Sequence, residues 1–262
     1  MVRTVEGVLS PLTPAQKADV QIIILNGEMN FLKHAHLYKI LRERFAEEVD
    51  EGTIVAYSMT PDVYPEPLVK DPCLLRGFIG DSLSRVRWTS KLAWDSITLL
   101  DIGKTRGKYY LHLEDDTPPS PGNWYTKTLD LIDHCQGALK NHKGCVTPPW
   151  LLLFLNGVLP DRGLGGMYGL LFAAPELPPM VPWMRARYDL MPVDYLVGNY
   201  IFDHEKTTFT VSQVIFRHEG KPKDSTKVGV DSKVKFGAFD EFLSWEQCAG
   251  REEMVLAEQG KG

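Results

Sequence analysis

A run of aliphatic residues near the start of the chain most constrains its fold. Val20–Leu25 is apolar at every position but Gln21, and it ends at the turn-forming pair Asn26-Gly27. Such a run predicts a strand buried on both faces, as in a parallel sheet. Phe31–Val49 follows with apolar residues at helical spacing, and Thr53–Ser58 is a second β-prone run. The order strand, helix, strand predicts a right-handed parallel unit.

The same alternation continues along the chain. The patterns predict helices over residues 82–102, 124–139, 177–188 and 193–202, strands over 108–113, 150–155 and 211–216, and a loop over 156–169. We therefore expect an α/β fold with a largely parallel central sheet flanked by helices. Residues 1–250 are predicted to form one domain, and residues 251–262 a flexible C-terminal tail.

Composition excludes several classes of protein. The 262 residues carry a net charge of -5, which argues against nucleic-acid partners because duplex binding needs a basic surface. The four cysteines form no CxxC pair, so a structural zinc site is not expected. Every apolar run is far shorter than the about 20 residues of a membrane helix. We expect membrane attachment only through a segment absent from this chain.

An acidic triplet is the sharpest local signal. The predicted strand at residues 108–113 leads directly into Glu114-Asp115-Asp116. Side chains alternate along an extended backbone, so Glu114 and Asp116 are expected to share one face. Their mutual repulsion must be offset by a cation or by hydrogen-bond donors, and carboxylate oxygens suit Mg²⁺ or Mn²⁺. The alternative is a solvated, helix-capping turn before Pro118.

Two further features suit a phosphorylated ligand. Arg85, Arg87 and Lys91 lie on one predicted helix, where they could contact a diphosphate or a ribose, or form an ordinary basic surface. The glycine-rich stretch 157–169 lacks the ending of a P-loop. Its glycines, Gly165 and Gly166 among them, permit close approach to a sugar or phosphate, although a plain loop explains them equally well.

Several stretches, taken in chain order, resemble one enzyme family. They are Gly80–Leu100 (GDSLSRVRWTSKLAWDSITLL), Tyr109–Asp116 (YYLHLEDD), Trp150–Phe154, Gly165-Gly166 with Tyr168, Pro192–Leu196 (PVDYL) and Phe216–Gly220 (FRHEG). Together they resemble the catalytic domain of the N-acetylglucosaminyltransferase IV family over roughly residues 5–235. Those enzymes add β1,4-linked GlcNAc to the α1,3-mannose arm of N-glycans.

The resemblance implies a GT-A fold, a UDP-GlcNAc donor, a glycan acceptor and a Golgi location. It also implies a divalent metal, with Mn²⁺ expected and Mg²⁺ the alternative. Asp116 and His218 match the family's metal-binding positions, and Glu114 and Asp115 complete its DxD-like element.

An inverting transferase also needs a carboxylate as general base on the acceptor hydroxyl. Our candidate is Asp194, which follows Pro192 at the start of a predicted helix, although an acid there often only complements the helix dipole. Asp189, Asp203 and Glu219 are the competing candidates.

Two departures from the family pattern leave other functions open. The chain starts after the strand that opens the family's fold, and Phe154 stands where the family usually has Glu, a loss for which Asp161 could substitute. A non-catalytic glycan- or nucleotide-binding relative is therefore one alternative. Another is a GT-A transferase with the same acidic motif, such as the GalNAc transferase that acts on GPI glycans.

Overall fold

The computed structural model describes residues 1–28, 30–70, 82–141, 150–157 and 166–219. Within these ranges the helices are α1 (Val2–Leu9), α2 (Pro14–Ala18), α3 (Phe31–Arg44), α4 (Ala46–Asp50), α5 (Leu83–Gly103), α6 (Trp124–Asn141), α7 (Leu177–Arg185) and α8 (Val193–Asp203). The strands are β1 (Ile22–Asn26), β2 (Ile54–Ser58), β3 (Tyr109–His112), β4 (Trp150–Phe154), β5 (Leu170–Ala173) and β6 (Thr207–Thr210). No helix in these ranges is long and apolar enough to cross a bilayer.

The described strands form two sheets. β1 and β2 pair in parallel, with Ile22 opposite Ile54. The larger sheet has the order β3-β5-β4-β6, in which β5 is antiparallel to both β3 and β4 while β4 and β6 are parallel. The α/β class is confirmed, but the large sheet is mixed rather than largely parallel. The difference arises from β5, a four-residue strand that the sequence analysis did not predict.

Three other elements depart from their predictions. Residues 31–49 form two helices, because the chain leaves helical geometry at Phe45. The last strand in the described ranges is Thr207–Thr210, and not residues 211–216, whose backbone hydrogen-bonds to Phe154, Leu155 and Ser120 without forming a regular strand. β1 is half-buried along its whole length instead of buried on both faces. Its only backbone partner among the described strands is β2.

The four-stranded sheet lies between two apolar layers. One contains Leu152, Phe154 and Phe172 packed against α5, α7 and α8. The other contains Trp150, Leu153 and Leu155 packed against α6, the end of α1 and Phe216. Phe154 is completely buried in the first layer, so it stabilises the core and presents no side chain to a solvent-filled pocket. Cys135 on α6 is a buried free thiol, and the other three cysteines lie outside the described residues.

Two phenylalanines provide a matched test of this core. Phe172 is fully buried at the centre of the sheet, whereas 83% of Phe202 on α8 is exposed. We expect Phe172→Ala to lower the free energy of unfolding by about 3–5 kcal/mol through lost burial and a residual cavity. Phe202→Ala should change it by less than about 0.5 kcal/mol. Urea denaturation of both variants measures the contrast, and equal effects would contradict the layer assignment.

Candidate active site

The acidic triplet lies where β3 ends, and a turn fixes its backbone. The Thr117 hydroxyl donates a hydrogen bond to the Glu114 carbonyl at 2.7 Å, and the Thr117 side chain is buried. The Thr4 hydroxyl on α1 donates to the Asp115 carbonyl at 2.7 Å. The Asp115 side chain is 82% exposed. Glu114 and Asp116 thus point to a common side, as their alternation predicts, and Asp115 points away from them.

Residues 215–219 run beside this turn and bring His218 to it. The Ser120 N–H donates to the Ile215 carbonyl at 2.6 Å, and the Glu219 N–H donates to the Asp116 carbonyl at 2.9 Å. His218 Nε2 lies 3.3 Å from Glu114 Oε2 and 3.3 Å from Asp116 Oδ1. One ligand atom from each of the three side chains lies within 4.8 Å of the others. Two distant segments therefore converge on one cluster of potential metal ligands. We call this cluster of Glu114, Asp116 and His218 the acidic group.

The surroundings of Glu114 shift the pKa of its carboxyl. Burial raises the pKa of the Glu114 carboxyl above its ordinary value, and the neighbouring Asp116 and Asp115 carboxylates raise that pKa further. The Met167 N–H, which donates to Glu114 Oε1 at 3.2 Å, and His218 oppose this shift. The net shift of this pKa is upward. The Met167 N–H and His218 therefore offset only part of the free energy that burial and the neighbouring carboxylates add to the ionised form of Glu114.

Asp194 lies in the first turn of α8, as predicted. Burial raises the pKa of its carboxyl, while the backbone of Tyr195, of Asp194 itself and of Gly166 favours the ionised form. Gly166 precedes Met167, whose N–H donates to Glu114, so neighbouring peptide groups act on the two carboxylates. Met167 was missed by the sequence analysis because its contribution is a backbone N–H, which no side-chain pattern reveals. Gly165 lies outside the described residues.

The competing carboxylates have other surroundings. Asp189 is buried and accepts a hydrogen bond from the Lys70 N–H at 2.9 Å. Asp203 is exposed at the far end of α8. Glu219 lies beside the acidic group but forms an ion pair with Arg3 at 3.0 Å. Of the four candidates, only Asp194 has a half-buried carboxylate held by the same backbone segment as Glu114. Its role as a base stays a prediction.

The three basic residues proposed for phosphate binding have different environments. The Lys91 ammonium forms an ion pair with Asp95 at 2.6 Å and donates a hydrogen bond to the Gly27 carbonyl, beyond the end of β1. The Arg85 guanidinium lies over the Trp88 ring, 4.3 Å from its centroid. Arg87 is exposed. The Lys91 ammonium therefore already has two partners within the fold. Nucleotide binding by Arg85, Arg87 and Lys91 stays a prediction.

The two tryptophans of α5 differ from each other. Trp88 is 51% exposed, and its ring lies beneath the Arg85 guanidinium. Trp94 packs against the main core and lies edge-on to Tyr188, with ring centroids 4.9 Å apart.

The sequence of the chain is similar to those of several named glycosyltransferases. The chain is 26% identical over 199 residues to an alpha-1,3-mannosyl-glycoprotein 4-beta-N-acetylglucosaminyltransferase B of Danio rerio and to the human B enzyme. It is 26% identical over 204 residues to the A enzyme of Rattus norvegicus. The chain resembles the N-acetylglucosaminyltransferase IV family. The alignments cover 76% to 77% of this chain.

These similar enzymes are much longer than the chain. The chain spans about a third of their length, 32% of the Danio rerio protein and 34% of the Rattus norvegicus protein. No family model matches the chain. No solved structure matches it either. The predicted family resemblance is confirmed by these relatives, and the roles of individual residues rest on the geometry above.

The Lys91–Asp95 pair can be tested against Arg87 on the same helix. Asp95 is largely buried, which raises its pKa, so removing the Lys91 ammonium leaves a largely buried carboxylate that keeps its hydrogen bond from the Tyr64 hydroxyl but loses its cation. We expect Lys91→Met to lower the free energy of unfolding by about 2 kcal/mol at neutral pH. The loss should shrink as the pH falls through the pKa of Asp95, because the protonated carboxyl needs no cation.

Arg87→Met is the matched control, since Arg87 is exposed and its loss should cost less than about 0.5 kcal/mol. Urea denaturation at several pH values measures both variants. A Lys91→Met cost that does not vary with pH would show that the ion pair is not its source.

Proposed function

We propose that this chain is the catalytic domain of a metal-dependent, inverting transferase that moves GlcNAc from UDP-GlcNAc to a mannose hydroxyl of an N-glycan. The observation that carries the proposal is the convergence of Glu114, Asp116 and His218 at the end of β3, where the resemblance implies a metal and a nucleotide. The names of the relatives supply the sugar, the acceptor and the 4-beta linkage. The same resemblance implies a GT-A fold and a Golgi lumenal location.

The donor set of the acidic group fits a hard divalent cation. Two carboxylates and one imidazole, all half-buried, present oxygen and nitrogen ligands within 4.8 Å of one another. Carboxylates favour Mg²⁺ and Mn²⁺, and the imidazole makes Mn²⁺ the better fit of the two. When bound, the cation would neutralise charge that develops on the diphosphate leaving group. Asp116, Glu114 and His218 would hold it.

Asp194 is proposed as the general base. As the acceptor oxygen bonds to the anomeric carbon and the bond to the diphosphate breaks, the acceptor hydroxyl proton passes to the Asp194 carboxylate. The backbone of Gly166 and of the first turn of α8 favours the ionised form of that carboxyl. Burial raises its pKa, which makes Asp194 a stronger base than an exposed aspartate.

Nucleotide binding provides the first test. We expect the wild-type protein to bind UDP in the presence of Mn²⁺, and Asp116→Asn to weaken this binding by more than about 100-fold, since even outer-shell partners of a metal typically contribute 10–100-fold. Isothermal titration with UDP and Mn²⁺ measures both proteins. Asp130→Asn, which removes the same charge from an exposed position on α6, is the control and should bind like wild type. UDP binding that survives Asp116→Asn unchanged would refute the metal assignment.

Transfer kinetics provide the second test. Asp194→Asn should keep UDP and Mn²⁺ binding but lower kcat by at least about 100-fold, because the base is lost while the metal ligands remain. In the wild-type enzyme, kcat should rise with pH as Asp194 ionises. The midpoint of this rise in kcat should lie above pH ~3.9, the ordinary pKa of an aspartate, because burial raises the pKa of Asp194. Hydrolysis and transfer assays with UDP-GlcNAc and UDP-GalNAc measure the rates and the donor preference.

Two results would favour the alternatives. Turnover of UDP-GalNAc in preference to UDP-GlcNAc would indicate the GalNAc transferase. UDP binding with no turnover of either donor would indicate a non-catalytic relative.

A further inference from the structure

Three consecutive residues each interact with a different group of the candidate active site. The Gly166 backbone favours the ionised form of the Asp194 carboxyl. The Met167 N–H donates to Glu114 Oε1 at 3.2 Å. The Tyr168 ring packs on the His218 imidazole, with centroids 5.4 Å apart and planes inclined by 43°. We name Gly166, Met167 and Tyr168 the bracket.

Residues at the end of β4 and in the apolar core hold the bracket in place. The Asn156 side-chain amide donates to the Tyr168 carbonyl at 2.9 Å, and the Leu155 N–H donates to the Gly169 carbonyl at 2.8 Å. The Met167 side chain is buried in the same apolar layer as Leu152 and Phe154. A backbone segment anchored by these contacts can fix the groups with which it interacts.

Gly166 is the position that the bracket least allows to change. Its φ is +115°, a conformation that residues with a side chain rarely adopt. A Cβ there would lie 3.2 Å from Tyr168 Cδ1 and 3.5 Å from Glu114 Oε1. Any side chain would therefore strain the backbone and displace the groups that the bracket holds.

We propose that the bracket positions the metal ligands and the base together, with Tyr168 as the positioning residue of His218 and the Gly166–Met167 backbone as a rigid link between Asp194 and Glu114. The proposal rests on the proposed function. Tyr168 acts through the face of its ring, which limits rotation of the imidazole, and its hydroxyl is not required. Loss of the ring should weaken metal binding, whereas displacement of the backbone should impair metal binding and the base at once.

The first experiment measures the Mn²⁺ dissociation constant by electron paramagnetic resonance on the full chain without donor or acceptor. We expect Tyr168→Ala to weaken Mn²⁺ binding by about 10–100-fold and Tyr168→Phe to stay within about twofold of wild type. Tyr125→Ala is the control. It removes an aromatic ring on α6 whose hydroxyl donates to Asp19, and it should leave Mn²⁺ binding unchanged. Wild-type affinity in Tyr168→Ala would overturn the positioning role while leaving the proposed function intact. Absence of Mn²⁺ binding in the wild-type protein would overturn both.

The second experiment separates the two halves of the bracket by saturating the protein with Mn²⁺. Transfer by Tyr168→Ala should then recover to near the wild-type kcat, because Asp194 is undisturbed. Gly166→Ala should bind Mn²⁺ more weakly and should not recover, because the base has moved as well. Gly198→Ala, in open space on α8, is the control and should behave like wild type. Full recovery of Gly166→Ala at high Mn²⁺ would overturn the link between Asp194 and Glu114.

Discussion

The repulsion between the carboxylates of Glu114 and Asp116 is the constraint around which this end of the molecule is arranged. His218 lies 3.3 Å from an oxygen of each, and the Met167 N–H donates to one of them. Both compensating groups come from far along the chain. The acidic group therefore depends on tertiary pairing, above all on the backbone hydrogen bonds between residues 116–120 and residues 215–219.

The direction of β5 determines what else reaches this group. Because β5 is antiparallel to β3, His112 at the end of β3 lies opposite Leu170 at the start of β5. The residues that precede Leu170 must then cross the end of β3, where Glu114 follows. A parallel β5 would have started beside Tyr109, at the other end of the strand, and would have carried Gly166, Met167 and Tyr168 away from the acidic group. The unpredicted antiparallel strand is thus what allows the bracket to form.

The sequence predicts the parts of this arrangement that are local. The apolar run at 108–113 marked β3 and placed the triplet at its end, and Pro192 with Asp194 marked the start of α8. It missed β5, whose four residues are a strand chiefly because β3 and β4 flank them. It also placed the last strand at 211–216, because aliphatic residues there outweighed the threonines of β6. The position of His218 came from a family motif. Its contact with Glu114 and Asp116 depends on pairing across the sheet, which no local pattern encodes.

The candidate active site differs from the rest of the fold in whether its buried and half-buried acids pair with lysine or arginine. Asp95 is paired with Lys91 at 2.6 Å, and Glu176 with Lys206 at 2.8 Å. Within the described part of the chain, no lysine or arginine pairs with Glu114, Asp116 or Asp194. Burial raises the pKa of Glu114 and of Asp194, so their charged forms reduce the stability of the fold. Proteins tolerate such a cost where function requires it, so the lack of a lysine or arginine partner for these carboxylates supports the proposed active site.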